Sequence, residues 1–147
     1  MSEYDDASEG LQARDPQTVE VEHGLDGSTT YVVDQDGDGF ADSVAVDLDS
    51  DGYIDRTYID ADGDHNFDSV LVDRDDDGVP DLELRDTNAD GKIDFAAEDN
   101  NRDGRIDAYA ADTDFDGTMD TFGRDVDFDG RPDVQVRDLN EDGNPDQ

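Results

Sequence analysis

From residue 43 onward the chain alternates between four-residue segments rich in β-branched, aromatic and small apolar side chains and nine-residue segments that are almost wholly polar, with a period of 13. The apolar segments are Ser43-Val44-Ala45-Val46, Arg56-Thr57-Tyr58-Ile59, Ser69-Val70-Leu71-Val72, Leu82-Glu83-Leu84-Arg85, Phe95-Ala96-Ala97-Glu98, Ala108-Tyr109-Ala110-Ala111, Thr121-Phe122-Gly123-Arg124 and Val134-Gln135-Val136-Arg137. Four residues are too few for a helix, and this composition predicts short strands. Their phase tests the architecture. A simple solenoid would turn the same two positions inward in every unit and bury Glu83, Arg85, Glu98, Arg124, Gln135 and Arg137. An antiparallel meander swaps the inward positions at each strand. One face then carries Val44, Val46, Tyr58, Val70, Val72, Leu82, Leu84, Ala96, Ala108, Ala110, Phe122, Val134 and Val136, interrupted by Arg56, Glu98 and Arg124. The expected fold is therefore all-β, a meander of short antiparallel strands in tandem 13-residue repeats. A β-solenoid or β-roll with two repeats per coil gives the same alternation and stands as the alternative.

Three regions are expected: a disordered segment at 1–17, a capping hairpin at 18–33 and the repeat array at 34–147. The hairpin reading rests on Thr18-Val19-Glu20-Val21-Glu22, which alternates and faces Thr30-Tyr31-Val32-Val33 across Gly24-Leu25-Asp26-Gly27.

The polar segments all fit D-x-[DN]-x-D-G-x-x-D, apart from one residue noted below. Nine loops, numbered in chain order, open at Asp34, Asp47, Asp60, Asp73, Asp86, Asp99, Asp112, Asp125 and Asp138. Position three is Asp36, Asp49, Asp62, Asp75, Asn88, Asn101, Asp114, Asp127 and Asn140. Position five is Asp38, Asp51, Asp64, Asp77, Asp90, Asp103, Asp116, Asp129 and Asp142. Position nine is Asp42, Asp55, Asp68, Asp81, Asp94, Asp107, Asp120, Asp133 and Asp146. Oxygens at one, three, five and nine, with a turn-forming glycine at six, suit a hard cation that takes six to eight oxygen ligands. Asn at position three offers a neutral oxygen at the same reach. The backbone carbonyl of position seven is the remaining candidate, from Phe40, Tyr53, Asn66, Val79, Lys92, Arg105, Thr118, Arg131 and Asn144. The cation expected is calcium, about nine ions.

The loop resembles the first nine residues of an EF-hand loop. It departs at position twelve, where that family needs a bidentate Glu and this chain has residues such as Ala45, Tyr58, Leu71 and Gly123. It is more similar to the calcium loops of thrombospondin type 3 repeats and to the FG-GAP loops of integrin-type propellers, in which the same motif joins two strands. The resemblance covers 34–146 and implies calcium binding. Thrombospondin repeats carry cysteines, and this chain has none.

Charge sharpens the picture. The chain has 45 acidic and 10 basic residues, a formal charge of −35, and only 32% hydrophobic residues. Such a composition alone describes a disordered acidic polymer, but a disordered tract needs no register of ligands. Nine Ca²⁺ would bring −35 to −17, and folding is expected to require them. Nucleic acid is not an expected partner, because phosphate contacts need clustered Lys and Arg. No apolar run reaches the length of a membrane span, and the start, MSEYDDASEG, lacks the features of a secretory signal. No nucleophile elbow, P-loop or dinucleotide fingerprint occurs, and nearly every carboxylate has a metal assignment, so no enzyme activity is expected. The expected role is a calcium-stabilised structural or adhesive module, outside the cell or on its surface, with another protein or a cell-surface component as partner. The alternatives are a high-capacity calcium buffer or store, including a cytoplasmic one, and an acidic mineral- or surface-interacting protein.

Three smaller expectations follow from single positions. Ile54, Phe67, Ile93, Ile106 and Met119 at position eight should pack the loops onto the strand ends. Pro80, Pro132 and Pro145 at the same position should stiffen the loops without interrupting a strand. His65 replaces the glycine of loop 3, which should leave that loop strained or weak in metal, whereas His23 reads as a solvated turn residue.

Overall fold

A computed structural model describes residues 18–140, 142 and 146. The segment 1–17 expected to be disordered, and Asn144 and Pro145 of loop 9, lie outside the described residues. Ten strands follow one another: β1 (Thr18–His23), β2 (Thr29–Asp34), β3 (Ser43–Asp47), β4 (Arg56–Ile59), β5 (Ser69–Val72), β6 (Leu82–Arg85), β7 (Phe95–Glu98), β8 (Ala108–Ala111), β9 (Thr121–Arg124) and β10 (Val134–Arg137). They form one open sheet in strict sequence order. Every neighbouring pair is antiparallel. The meander therefore stands and the solenoid falls.

The register places Val44, Tyr58, Val70, Leu84, Ala96, Ala110, Phe122 and Val136 in one continuous row across the sheet. A second row on the same face runs Val46, Arg56, Val72, Leu82, Glu98, Ala108, Arg124 and Val134. These are the apolar face and the three charged interruptions read from the period. The opposite face carries a smaller aromatic cluster. Phe95 stacks on Tyr109 with centroids 6.2 Å apart, and the Arg85 guanidinium lies 5.8 Å from the Phe95 ring centre. The Tyr109 ring covers Gly123 so closely that a Cβ there would lie 2.0 Å from Tyr109 Cε1. Glycine at this strand position is a steric need, since a strand gains nothing else from it.

Single-layer construction has a consequence. A sheet ordinarily buries one face against a second layer. Here Ala97 is the one buried hydrophobic side chain among the described residues, at 2% exposure. Position eight does not supply a core either. Phe67 touches Tyr58, at 5.7 Å between ring centres, but Phe67, Ile93 and Ile106 remain exposed. The expected packing of loops onto strand ends is thus only partial, because no second layer closes over them. His23 ends β1 rather than lying in the turn, and its Nδ1 is 3.2 Å from Thr29 Oγ1.

Antiparallel order sends odd-numbered loops to one edge of the strands and even-numbered loops to the other. Backbone bonding continues through them. The position-one N–H of each loop from loop 3 on donates to the position-nine C=O of the loop before it on the same edge, as in Asp60 to Asp42 (2.8 Å) and Asp73 to Asp55 (3.0 Å). The loops are thus stitched into two ladders flanking the sheet.

Candidate metal centres

What this protein buries is aspartate. All nine position-one residues are buried, from Asp47 and Asp125 at 3% to Asp86 at 9%. Asp81, Asp94 and Asp107 at position nine are buried as well. Aspartate is almost never fully buried without a partner, because an ionised carboxylate loses its water.

Local backbone geometry creates the burial. In eight loops the N–H of position six donates to Oδ2 of the position-one Asp, at distances from 2.6 Å (Gly91 to Asp86) to 3.1 Å (Gly52 to Asp47). In six of them the N–H of position four donates to its Oδ1. In loops 5 and 7 the position-five N–H of Asp90 and Asp116 takes that place. Aiming two nearby N–H groups at one carboxylate requires left-handed backbone at both four and six. Position six supplies glycine in every loop but the third, where His65 has φ 73°. In loops 1 to 8 position four is left-handed too, although it is glycine only in loops 1 and 3. Ser50, Asp76, Ala89, Arg102, Phe115 and Phe128 all have φ between 57° and 62°. The sequence motif does not display this second bend, because its residue type varies. A side chain there costs about 1 kcal/mol, so the loop geometry overrides local preference at six sites.

The other loop carboxylates are placed as a set. Position five accepts the N–H of position seven, from Phe40 to Asp38 (2.8 Å) through Arg131 to Asp129 (2.9 Å). Position nine accepts the N–H of position two, as Asp81 does from Arg74 at 2.8 Å and Asp55 from Leu48 at 2.6 Å. Positions one, three and nine converge. In Asp34/Asp36/Asp42, Asp47/Asp49/Asp55, Asp60/Asp62/Asp68, Asp73/Asp75/Asp81 and Asp112/Asp114/Asp120, one carboxylate oxygen from each lies within 4.8 Å of the others. These triads could hold metal ions. In the same loops the position-five carboxylates Asp38, Asp51, Asp64, Asp77 and Asp116 each accept the N–H of position seven. Where position three is Asn88 or Asn101, its amide oxygen accepts from the position-five N–H (3.0 and 2.8 Å) just as Asp36 does in loop 1 (3.0 Å). In loop 9 the described ligands Asp138, Asn140, Asp142 and Asp146 keep this pattern: Asp142 N–H donates to Asn140 at 3.0 Å and Leu139 N–H to Asp146 at 2.8 Å.

Electrostatics strain the same groups. Asp133 raises the Asp127 carboxyl above its ordinary value, helped by burial and by Asp129. Desolvation raises Asp76, and Asp51, Asp55 and Asp49 of the neighbouring loop on that edge add to it. Burial pushes Asp125 up too, but the N–H groups of Gly130 and Phe128 outweigh it and hold the carboxyl low. Loop 4 departs from its siblings. Asp75 Oδ2 takes Arg102 Nη1 from loop 6 at 2.8 Å, with Arg102 Nε 3.8 Å from Asp81. Asp75 Oδ1 is left buried with no hydrogen-bond partner. An orphaned buried carboxylate oxygen within a carboxylate triad fits a cation, and the all-oxygen donor set fits a hard one.

Contacts between loops are where sequence reasoning missed most. The side chain at position seven of one loop lies near position six of the next loop on its edge. Phe40 stacks on His65 with centroids 3.9 Å apart and planes 19° from parallel, and His65 Nδ1 is 3.8 Å from Asp38. A Cβ on Gly130 would lie 3.4 Å from Arg105 Cδ. His65 is therefore strained in its backbone, as its position implied, but it is also held by a ring contact. A period of 26 between loops on one edge is the signal that pairs Phe40 with His65.

No family model, characterised protein or solved structure gives a significant match to this chain.

Proposed function

We propose that the chain binds calcium, about one ion in each of its nine loops, and that the ions hold the sheet together as a structural or adhesive module. The observation that carries this is the inverted interior: among the described residues, nine buried position-one aspartates stand against a single buried hydrophobic side chain. Converged, desolvated carboxylates repel unless a cation joins them. An all-oxygen site built from flexible loops suits calcium better than magnesium, which prefers a tighter octahedron and keeps its waters. The ligands of each ion would be the oxygens of positions one, three, five and nine with the carbonyl of position seven.

Stitching of neighbouring loops along each edge by backbone hydrogen bonds favours a structural role over a buffer, because filling a loop then stiffens that edge. Filling only near millimolar calcium supports a module working outside the cell or at its surface, and submicromolar filling supports the buffer. Carboxylates at positions one, three, five and nine accept backbone N–H groups of their own loops, which favours holding a metal over acid–base chemistry. No helix among the described residues is long and apolar enough to cross a membrane. A calcium titration followed by native mass spectrometry tests the proposal. About nine ions at saturation are expected, and two or three would defeat the one-ion-per-loop reading.

A further inference from the structure

The apolar face of the sheet is unpartnered, and its two halves differ. Toward β10 it forms an open trough of about 630 Å³ over small residues, including Ala96, Ala108 and Ala110. Toward β2 it carries the bulkier Val44, Val46 and Tyr58. Two cations on this face, Arg56 and Arg124, are exposed and make no ion pair among the described residues. We propose that this face is the interface between two copies of the chain, stacked sheet on sheet about a two-fold axis parallel to the strands and passing between β5 and β6. The inference rests on the calcium reading above, because the loop edges of the two copies would otherwise repel.

Symmetry and register fix the contacts. Such an axis keeps each row over the same row of the second copy and reverses strand order, so β4 lies over β7 and β3 over β8. In the first row Tyr58 then faces Ala96 of the other copy, and Val44 faces Ala110. In the second row Val46 faces Ala108, and Arg56 faces Glu98. Large side chains meet the trough, one of the two unpaired cations, Arg56, meets the face's one anion on β3 to β10, and Arg124 lies over Thr30 of β2. Each match occurs twice by symmetry, as an isologous interface requires. Glu98 already accepts Arg74 at 2.6 Å, but its side chain is 35% exposed, and a carboxylate has room for a second donor. Aligned sheets pack about 10 Å apart. Because β1 puts Glu20 and Glu22 on this face, the apolar overlap is β2 to β9, eight strands about 4.8 Å apart and four residues long, or roughly 500 Å² per copy. That is the low end of specific interfaces, so micromolar dimerisation is expected.

The test is sedimentation velocity and light scattering on the full chain in saturating calcium, with bound ions counted in parallel. Twice the chain mass of 16.1 kDa is expected at about 100 µM. Ala96→Arg should give a monomer with its calcium count and circular dichroism unchanged. Arg56→Glu should weaken dimerisation at least tenfold, and adding Glu98→Arg should recover most of that loss. The charge pair keeps the test decisive if Ala96→Arg perturbs folding. A calcium-loaded monomer at 100 µM would overturn the dimer and leave the calcium reading intact. A dimer indifferent to Ala96→Arg and Arg56→Glu would place the contact on another surface and also overturn it. A chain that takes up no calcium would remove the function proposed above and this inference with it.

Discussion

The first chain reversal, at residues 24–28, closes on itself. Gly24 N–H donates to Ser28 C=O at 2.8 Å, and Asp26 accepts from Ser28 N–H and Oγ at 3.1 and 2.7 Å. The next reversals, loops 1 to 8, are nine residues long, and loops 1, 2, 3, 4 and 7 gather three carboxylates where the short turn has one. Both join antiparallel strands of one sheet. The difference lies in what pulls the chain round. In the short turn, neutral backbone groups and one solvated carboxylate suffice, and Ser28 holds the Asp26 carboxyl below its ordinary value through its hydroxyl and N–H. In the loops, hydrogen bonds place each carboxylate, but they leave like charges facing one another. The turn is complete as a peptide; on the calcium reading proposed above, a counter-charge completes each loop.

The sharpest way to break this comparison is to remove the metal. In excess chelator the array should lose its β-sheet circular dichroism and expand, because uncompensated carboxylates have no apolar core to resist them. Unchanged dichroism and hydrodynamic radius would mean that the loops close as the short turn does. Magnesium at the same concentration should restore little of the signal.

A smaller effect separates single aspartates. Asp73→Ala removes the acceptor of the Asp76 and Gly78 N–H groups, at 2.9 and 2.8 Å, along with a ligand of the loop 4 triad. It should lose one bound ion and about 2–4 kcal/mol in saturating calcium. Asp26→Ala should keep the full ion count and melt close to the parent. Equal losses in the two variants, read by thermal unfolding and native mass spectrometry, would erase the distinction between turn and loop.

Within the loops, Arg102→Gln should be milder. It removes a guanidinium lying 2.8 Å from Asp75, so the loop 4 site should bind metal several-fold more tightly while the others keep their affinity. The exposed ion pair itself is worth little, about 0–1 kcal/mol. Unaltered filling of one site in a titration resolved by nuclear magnetic resonance would show that Arg102 does not compete there.

The legible part of this molecule was the part written in residue type. Alternating Val44, Tyr58, Val70 and Leu84 carried the strand register, because a one-residue slip would turn every side chain over. Invariant Asp at one, five and nine carried the loops. Position four was hidden, since the same left-handed bend is occupied by Ser50, Ala89, Arg102 and Phe128, and burial of the position-one carboxylate compels it whatever the side chain. The hydrogen bonds that place the ligands were hidden for a related reason. Spacing groups Asp38 with Asp34, Asp36 and Asp42, but only the folded loop shows that Asp38 accepts the Phe40 N–H at 2.8 Å. Contacts between alternate loops, such as Arg102 to Asp75, depend on strand order and cannot be read from one repeat.

The smallest effect tests the most local contrast, loop 3 against its siblings. His65 costs about 1 kcal/mol relative to glycine at φ 73°. Its ring returns about 0.5–1.5 kcal/mol through the stack on Phe40 at 3.9 Å. The two nearly cancel, so His65→Gly alone should change the stability of the loaded protein by less than about 0.5 kcal/mol. Removing the ring contact first should expose the strain. In a Phe40→Leu background, His65→Gly should stabilise by about 1 kcal/mol and tighten metal binding at loop 3. Melting curves at limiting calcium for the four proteins of this cycle give the coupling directly. If His65→Gly stabilises equally with and without Phe40, the ring contact contributes nothing and loop 3 is simply the strained member of the array. If it destabilises in both backgrounds, the 3.8 Å approach of His65 Nδ1 to Asp38 outweighs the backbone strain even without the stack.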